Sequence, residues 1–303
     1  MPNLDNLNNF QKKLLNKFNI PLTFLDTYDV FRNISRESKY YPYIKMVYTS
    51  VHATDGGSGR AFGNDISKRE YVSLLKKIMH YKPVYISYPF PDFNVMREYI
   101  DYGVMNWMVS NWDDYYHTLK LAYPDLRINR SIVGNAYNIH MDSRFDSIVI
   151  PYHKLLDRDW LGEQDPHEVT IIPNQTCKPV CQNLDHHVYW ICKTNTVYHP
   201  EVVETHCPDF PRFFFMPRQN LEMIIDFIGD IKLLDRALDC YYYERFLDHY
   251  IYADNFPVEE IRLNPQLHSI FRDCQKVYER WASSEMITGN CQFDCSKCNR
   301  ICY

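Results

Sequence analysis

Three consecutive stretches decide the fold class: Ile44-Lys-Met-Val-Tyr-Thr-Ser-Val51, a helical pattern over residues 67–78, and Pro83-Val-Tyr-Ile-Ser-Tyr-Pro-Phe90. The two outer stretches are rich in β-branched and aromatic residues, which favour strands. Ser67 stands three positions before Glu70, as in a helix-capping box, and apolar residues then recur at helical spacing. Because strand, helix and strand follow in this order, the three stretches predict one βαβ unit of a parallel sheet.

The same alternation continues along the chain. The candidate strands are residues 44–51, 83–90, 104–110, 127–133, 147–151, 168–173, 212–216 and 230–234. Eight strand–helix repeats in about 200 residues predict an α/β fold, a TIM-like (β/α)8 barrel over residues 44–251. A doubly wound open sheet is the alternative, although the sequence lacks the glycine fingerprint of its dinucleotide-binding version. Residues 1–43 then form an N-terminal helical segment, and residues 252–303 a helix followed by a cysteine-rich, metal-binding tail.

Composition narrows the class of protein. The 303 residues carry a formal net charge of -5 without any basic run, which argues against a large phosphate-binding stripe. No stretch approaches the roughly 20 apolar residues of a membrane span, and the first residues lack signal-peptide features. Ten cysteines without an export signal favour metal ligation in a reducing cytoplasm over disulfides.

Four of these cysteines crowd the last thirteen residues as Cys291, Cys295, Cys298 and Cys302. Thiolates at this spacing typically bind an iron–sulfur cluster, here a 4Fe–4S cluster, or a structural zinc ion. The first three also match the radical SAM cysteine motif. That motif normally follows the first strand of its barrel, so a fully ligated cluster or a zinc site fits this tail better.

A second cysteine group follows the candidate strand 168–173. Cys177 and Cys181 are four positions apart, and Cys192 or Cys207 would complete a metal set with them. Two adjacent histidines in the same loop offer nitrogen ligands as well. The alternative is that these cysteines are small core residues.

Polar residues after the predicted strands are candidates for substrate binding, because barrel enzymes build their sites at strand carboxyl ends. Ser58 and Arg60 lie in a glycine-rich loop that can approach an anion, or that can simply be a flexible surface loop. Asn135 and Asn174 follow two further strands.

The candidate catalytic residues follow the same rule. His153 comes just after strand 147–151, and Asp235 and Arg236 come just after strand 230–234. The histidine has a structural alternative as a hydrogen-bonded packing residue. The Asp–Arg pair could bind a carboxylate substrate or close the barrel with a salt bridge.

The motifs taken together resemble a known family. Phe145-Asp-Ser-Ile-Val-Ile-Pro151, Pro173-Asn-x-x-Cys177-x3-Cys181, Phe215-Met-Pro-Arg218 and Ile231-Lys-x-x-Asp-Arg236 look like the U-32, or collagenase-like, peptidase family. The resemblance implies a TIM-like barrel. In the better understood branches it also implies a cysteine-bound 4Fe–4S cluster and oxygen-independent hydroxylation of tRNA, rRNA or a quinone precursor, with prephenate as oxygen donor. Cys177 and Cys181 match the family's cluster ligands best.

The sequence therefore predicts a cytoplasmic barrel enzyme with a 4Fe–4S cluster. It would modify a small molecule, a peptide or RNA at the strand carboxyl ends, without membrane contact, and its oligomeric state stays open. The alternative from another class is a zinc-stabilised binding or assembly protein without turnover. Radical SAM chemistry is a lesser alternative.

Overall fold

A computed structural model describes residues 4–22, 27–56, 66–89, 91–131, 141–150, 158–175, 214–215, 218–233 and 240–253. Eight parallel strands in this part of the chain close into a barrel. They are β1 (Phe18–Pro21), β2 (Ile44–Thr49), β3 (Val84–Ser87), β4 (Asn106–Val109), β5 (Arg127–Arg130), β6 (Ser147–Val149), β7 (Val169–Ile171) and β10 (Asp230–Lys232). The predicted TIM-like barrel is confirmed.

Strands follow chain order around the wall from β1 to β7, and β10 then closes the barrel between β7 and β1. Two further strands, β8 (Asn174–Gln175) and β9 (Phe214–Phe215), pair antiparallel with each other as a separate ribbon. Because β10 pairs directly with β7, the ribbon has no position in the barrel wall.

Helices connect several of the strands. They are α1 (Asn9–Leu14), α2 (Thr27–Ile34), α3 (Lys68–Met79), α4 (Phe93–Asp101), α5 (Tyr115–Ala122), α6 (Arg158–Gly162), α7 (Arg218–Ile224) and α8 (Cys240–Tyr252). The predicted capping box is present at the start of α3, where the side chains of Ser67 and Glu70 each accept a backbone N–H of the other residue. Asp92 caps α4 with its side chain alone, which accepts the backbone N–H groups of Asn94 and Val95.

The first strand is the main departure from the sequence prediction. Phe18–Pro21 lies within the segment expected to be helical and connecting, yet it pairs with β2 on one side and β10 on the other. Helices α1 and α2 flank it, so that segment is helical only in part. Two of its four residues, Asn19 and Pro21, are of types that are rare in strands, so the sequence gives little strand signal there.

The predicted strand 212–216 was expected in the barrel wall, and that expectation is wrong. Its described part, Phe214–Phe215, belongs to the side ribbon and not to the barrel wall. The paired phenylalanines have the β-propensity of a strand, but propensity does not specify the partner. The partner is Asn174–Gln175, which follows β7 after a gap of two residues.

Side chains alternate between two cores. One face of the strands packs under the helices in the main apolar cluster, which includes Ile86, Val109 and Ile171. The other face lines the barrel interior, where six residues form a second cluster: Met46, Tyr48, Tyr85, Met108, Val149 and Ile172. Alternation of this kind is expected for strands between helices and a filled lumen.

Candidate functional site

A lysine occupies the barrel interior. Lys232 ends β10, is only 5% exposed, and has its Nζ 3.3 Å from the Sδ of Met108. Met108 lies on β4, which is four strands from β10 in either direction around the wall. The lysine side chain therefore crosses the whole lumen and places its amine against the opposite side of the barrel.

Electron-rich groups surround this amine. Its Nζ lies 4.6 Å from the ring centroid of Tyr48 and 5.2 Å from that of Tyr85. It also donates to the Tyr85 hydroxyl at 3.3 Å. The Tyr85 hydroxyl in turn donates to the Met108 sulfur, and the Tyr48 hydroxyl donates to the backbone oxygen of Leu233. Ring faces and lone pairs attract a cation, so this environment suits an ammonium group.

A polar belt crosses the lumen on three neighbouring strands. The Ser147 hydroxyl donates to Asn129 Oδ1 at 2.8 Å and lies 3.2 Å from Thr170 Oγ1. The Asn129 amide donates to the backbone oxygen of Trp107 at 2.9 Å. Because these buried groups satisfy one another, the belt fixes the β5–β7 side of the interior.

Serines line the carboxyl-end mouth over half of its circumference. Ser50, Ser87, Ser110 and Ser131 each stand two positions beyond an inward-facing residue of β2, β3, β4 and β5, respectively. The period of two places all four on the lumen face. Facing them across the mouth are Val149 and Ile172. We call these four residues the serine arc.

The register sets the serine arc in adjacent pairs. Strands β2 and β3 pair Thr49 with Ile86, so the next positions bring Ser50 beside Ser87. Strands β4 and β5 pair Val109 with Arg130, so Ser110 lies beside Ser131. Ser110 is fully buried, and its Oγ has no hydrogen-bond partner among the described residues. An unpaired buried hydroxyl is uncommon and costly, which makes this atom a candidate contact for a ligand.

A hydrogen-bonded frame supports the start of the β2 loop. His52 is buried, its Nδ1 accepts the backbone N–H of Thr54, and its Nε2 donates to the backbone oxygen of Ile66 at 3.0 Å. The imidazole therefore joins the two described ends of the glycine-rich loop. The Tyr99 hydroxyl adds a further tie, because it accepts the His52 backbone N–H and donates to Asp55.

An ion-pair triad extends this frame to α3 and α4. Lys68 lies 2.8 Å from a carboxylate oxygen of Asp55 and 2.8 Å from one of Glu98. Burial lowers the pKa of Lys68, but its hydrogen bonds with the two carboxylates outweigh burial and raise the pKa overall. The hydrogen bonds from Lys68 and Tyr102 hold the pKa of Glu98 below its ordinary value.

Most residues that the sequence analysis nominates lie outside the described part of the chain. These are Ser58, Arg60, Asn135, His153, Asp235, Arg236 and the eight candidate metal ligands Cys177, Cys181, Cys192, Cys207, Cys291, Cys295, Cys298 and Cys302. Asn174 is the exception, because its backbone forms β8 with Phe215 as its partner. Those assignments stay predictions.

The described ranges themselves offer no group of three or more His, Cys, Asp or Glu residues placed to hold a metal ion. Within the same ranges, no helix has the length and apolar character needed to span a membrane. No known family profile, curated protein or solved structure compared with the chain is significantly similar to it. Membership of the U-32 peptidase family therefore stays a prediction from motifs.

The sequence analysis did not nominate Lys232 or the serine arc. Lys232 could have been noticed in the sequence, since it is a cation among the apolar residues at the end of strand 230–234. It stands two positions after the inward-facing Asp230, so it lies on the same face of the strand. The serines carry a weaker signal. Each is a common residue at a strand end, and only the register shows that they are neighbours.

Proposed function

We propose that this protein is a barrel enzyme that carries an iron–sulfur cluster and modifies a substrate bound at the carboxyl-end mouth. The observation that supports the site is the ammonium of Lys232 held in the lumen beneath the serine arc. A buried charge and a buried hydroxyl without a described partner, that of Ser110, are typical of a binding site at this end of a (β/α)8 barrel, because stability alone favours an apolar interior.

The order of the strands supports a shared location for the other predicted residues. Strands β6, β7 and β10 are consecutive in the wall. His153 comes four residues after the end of β6, Cys177 comes six after β7, and Asp235 comes three after β10. The chain thus leaves the barrel at three adjacent carboxyl ends shortly before these residues, which favours a common site at the mouth.

The cluster itself is proposed from the cysteine pattern. Cys291, Cys295, Cys298 and Cys302 are the first choice of ligands, and Cys177 and Cys181 with Cys192 or Cys207 are the second. A bound cluster supplies electrons or a Lewis-acidic iron. Following the U-32 resemblance, we propose an oxygen-independent hydroxylation-type reaction on a small molecule, peptide or RNA in the reducing cytoplasm.

Anaerobic purification tests this proposal. A brown protein with absorbance about 400 nm and about four iron and four sulfide per chain is the expected result. Cys295→Ser should abolish the iron if the tail binds the cluster, and Cys177→Ser should do so if the loop binds it. Cys240→Ser is the matched control, because Cys240 begins α8 and belongs to neither set. A colourless protein with stoichiometric zinc would instead support the zinc-stabilised binding protein.

A further inference from the structure

A groove on the outside of the barrel, between α3 and α4, is rich in positive charge. It has a volume of about 550 Å³, with Arg69, Ser73 and Lys76 of α3 on one side and Glu98 and Tyr102 of α4 on the other. We propose that this groove binds the phosphate group of a small phosphate monoester. The groove is separate from the barrel mouth, so the proposal goes beyond the proposed function and does not depend on it.

Three donors form a stripe along the α3 side of the groove. Ser73 comes four positions after Arg69 and three before Lys76, and all three line the groove. Residues three and four apart are neighbours on one face of a helix. Roughly 10 Å of helix axis separates the two cations, a span that their long side chains can close around one anion beside the Ser73 hydroxyl.

The two cations of this stripe are available to a ligand. Arg69 is exposed, and its guanidinium has no partner among the residues that the structure describes. The Lys76 ammonium lies 5.2 Å from the centroid of the Tyr102 ring. The ring holds this ammonium at the groove without neutralising its charge.

The carboxylate that lines the groove is already engaged. One oxygen of Glu98 accepts from the Lys68 ammonium at 2.8 Å, and the other accepts from the Tyr102 hydroxyl at 2.6 Å. Because Lys68 balances its charge, Glu98 does little to repel a second anion. An anion that enters the groove therefore meets a net positive charge from the α3 stripe.

Charge and donor geometry favour a phosphate monoester over a carboxylate. A phosphate monoester carries a charge of about −1.5 to −2, which matches two cations, whereas one carboxylate would leave one of them unpaired. The planar guanidinium of Arg69 can donate two parallel hydrogen bonds to phosphate oxygens, and Lys76 and Ser73 can donate to the remaining oxygens.

The size of the groove favours a small ligand over a macromolecule. Its volume lies within the range of about 300 to 1,000 Å³ that is common for small-molecule sites. Val72 and the Tyr102 ring also line it, and they offer apolar contacts to the organic part of the ligand. A nucleic acid needs a longer track of cations than two turns of one helix, and the formal net charge of -5 opposes its approach.

Calorimetric titration of the full chain in a phosphate-free buffer tests the ligand class. Phenyl phosphate and benzoate share a ring and differ in the anion, so phenyl phosphate should bind at least about tenfold more tightly. Inorganic phosphate should bind more weakly than phenyl phosphate, because it lacks the apolar part. A wild type that binds no phenyl phosphate, or binds benzoate equally well, overturns the proposal. Tighter binding of a polyglutamate peptide or a single-stranded oligonucleotide overturns the assignment to a small ligand.

Two lysines that are adjacent in the sequence provide a matched pair of variants. Lys76→Gln removes a charge from the groove and should weaken phenyl phosphate binding about tenfold. Lys77→Gln removes the same charge, but the Lys77 ammonium lies 4.5 Å from the centroid of the Phe31 ring of α2, outside the groove. It should leave binding unchanged. Equal losses from the two variants would show a general effect of charge and overturn the site.

Two variants of Arg69 test the hydrogen-bonding geometry. Arg69→Gln should weaken phenyl phosphate binding at least about tenfold while the melting temperature stays that of the wild type, because the guanidinium has no partner among the described residues. Arg69→Lys keeps the charge but loses the two parallel donors, so it should recover only part of the affinity. Undiminished binding by R69Q would show that the phosphate binds elsewhere and would overturn the proposal.

Discussion

Lys45 of β2 and Asp230 of β10 form an ion pair that passes over β1, the strand between them. The carboxylate is almost buried and the lysine is three-quarters buried, with side-chain exposures of 7% and 25%. Lys17, which precedes β1, donates its amine to the backbone oxygen of Ile228 at the same end of the barrel. Both neighbours of the first strand are therefore tied together at the amino end, where the barrel closes.

Asp230→Ala should lower the free energy of unfolding by about 3 kcal/mol, because it leaves a partly buried ammonium without its counter-charge. Urea denaturation measures the loss. Lys13→Ala is the matched control, since Lys13 pairs with Asp226 on the surface with exposures of 41% and 63%. That change should cost less than about 1 kcal/mol. Equal effects from the two variants would contradict a special role for the pair at the closure.

The Lys68–Glu98 pair should give a measurable pH dependence. The pKa of Glu98 is lowered from its ordinary value of 4.5, so the stabilisation it contributes is present above pH 4.5 and is lost as the pH falls through the lowered value. The difference in unfolding free energy between wild type and Glu98→Gln should therefore shrink on acidification below pH 4.5. Lys68→Met should remove most of that component. A difference that grows in acid would show that the sign is wrong.

Two glycines should respond oppositely to alanine. A Cβ at Gly229 would lie 2.7 Å from the backbone oxygen of Pro166 and 3.1 Å from backbone atoms of His167, so Gly229→Ala must displace the turn before β10. We expect a loss of about 2 kcal/mol in the free energy of unfolding. At Gly162 the nearest atom would be a Phe227 ring carbon at 3.9 Å, an ordinary contact. Gly162→Ala should be neutral or slightly stabilising, and thermal unfolding of both variants checks the contrast.

His52 should contribute to stability through both ring nitrogens. Its replacement by alanine removes the acceptor for the Thr54 N–H and the donor to the Ile66 oxygen, at an expected cost of about 2 kcal/mol. His52→Asn can restore the local acceptor but is too short to reach Ile66, so it should recover only part of the loss. Chemical denaturation of the two variants measures the difference. Full recovery by asparagine would show that the bond to Ile66 contributes little.

The part of the fold that follows from local sequence was predictable. The capping box at Ser67 and Glu70 involves residues three apart, and the apolar runs of β2 and β3 are continuous along the chain. The first strand was not predictable in this way. Phe18–Pro21 is a strand because β2 and β10 provide its partners, and β10 lies more than about 200 residues away in sequence.

The candidate site shows the same limit. Ser50 and Ser87 become neighbours only through the register of β2 and β3, and Lys232 meets Met108 only because the barrel is closed. A sequence shows which residues share one face of a strand, but it does not show which strand lies on the opposite side of the barrel. The motif-based nominations other than Asn174 lie outside the described residues, and their roles stay predictions.

The position of β1 also has a consequence for synthesis of the chain. Phe18 pairs with Ile231, so the first strand emerges from the ribosome roughly 210 residues before one of its two partners exists. At about 5 to 20 residues per second, translation leaves that edge unpaired for about 10 to 40 seconds. An unpaired strand edge is a template for association with other chains. Pairing of β1 with β2 covers only one side of the first strand, so a chain that stops before β10 keeps two open edges, one on β1 and one on β7.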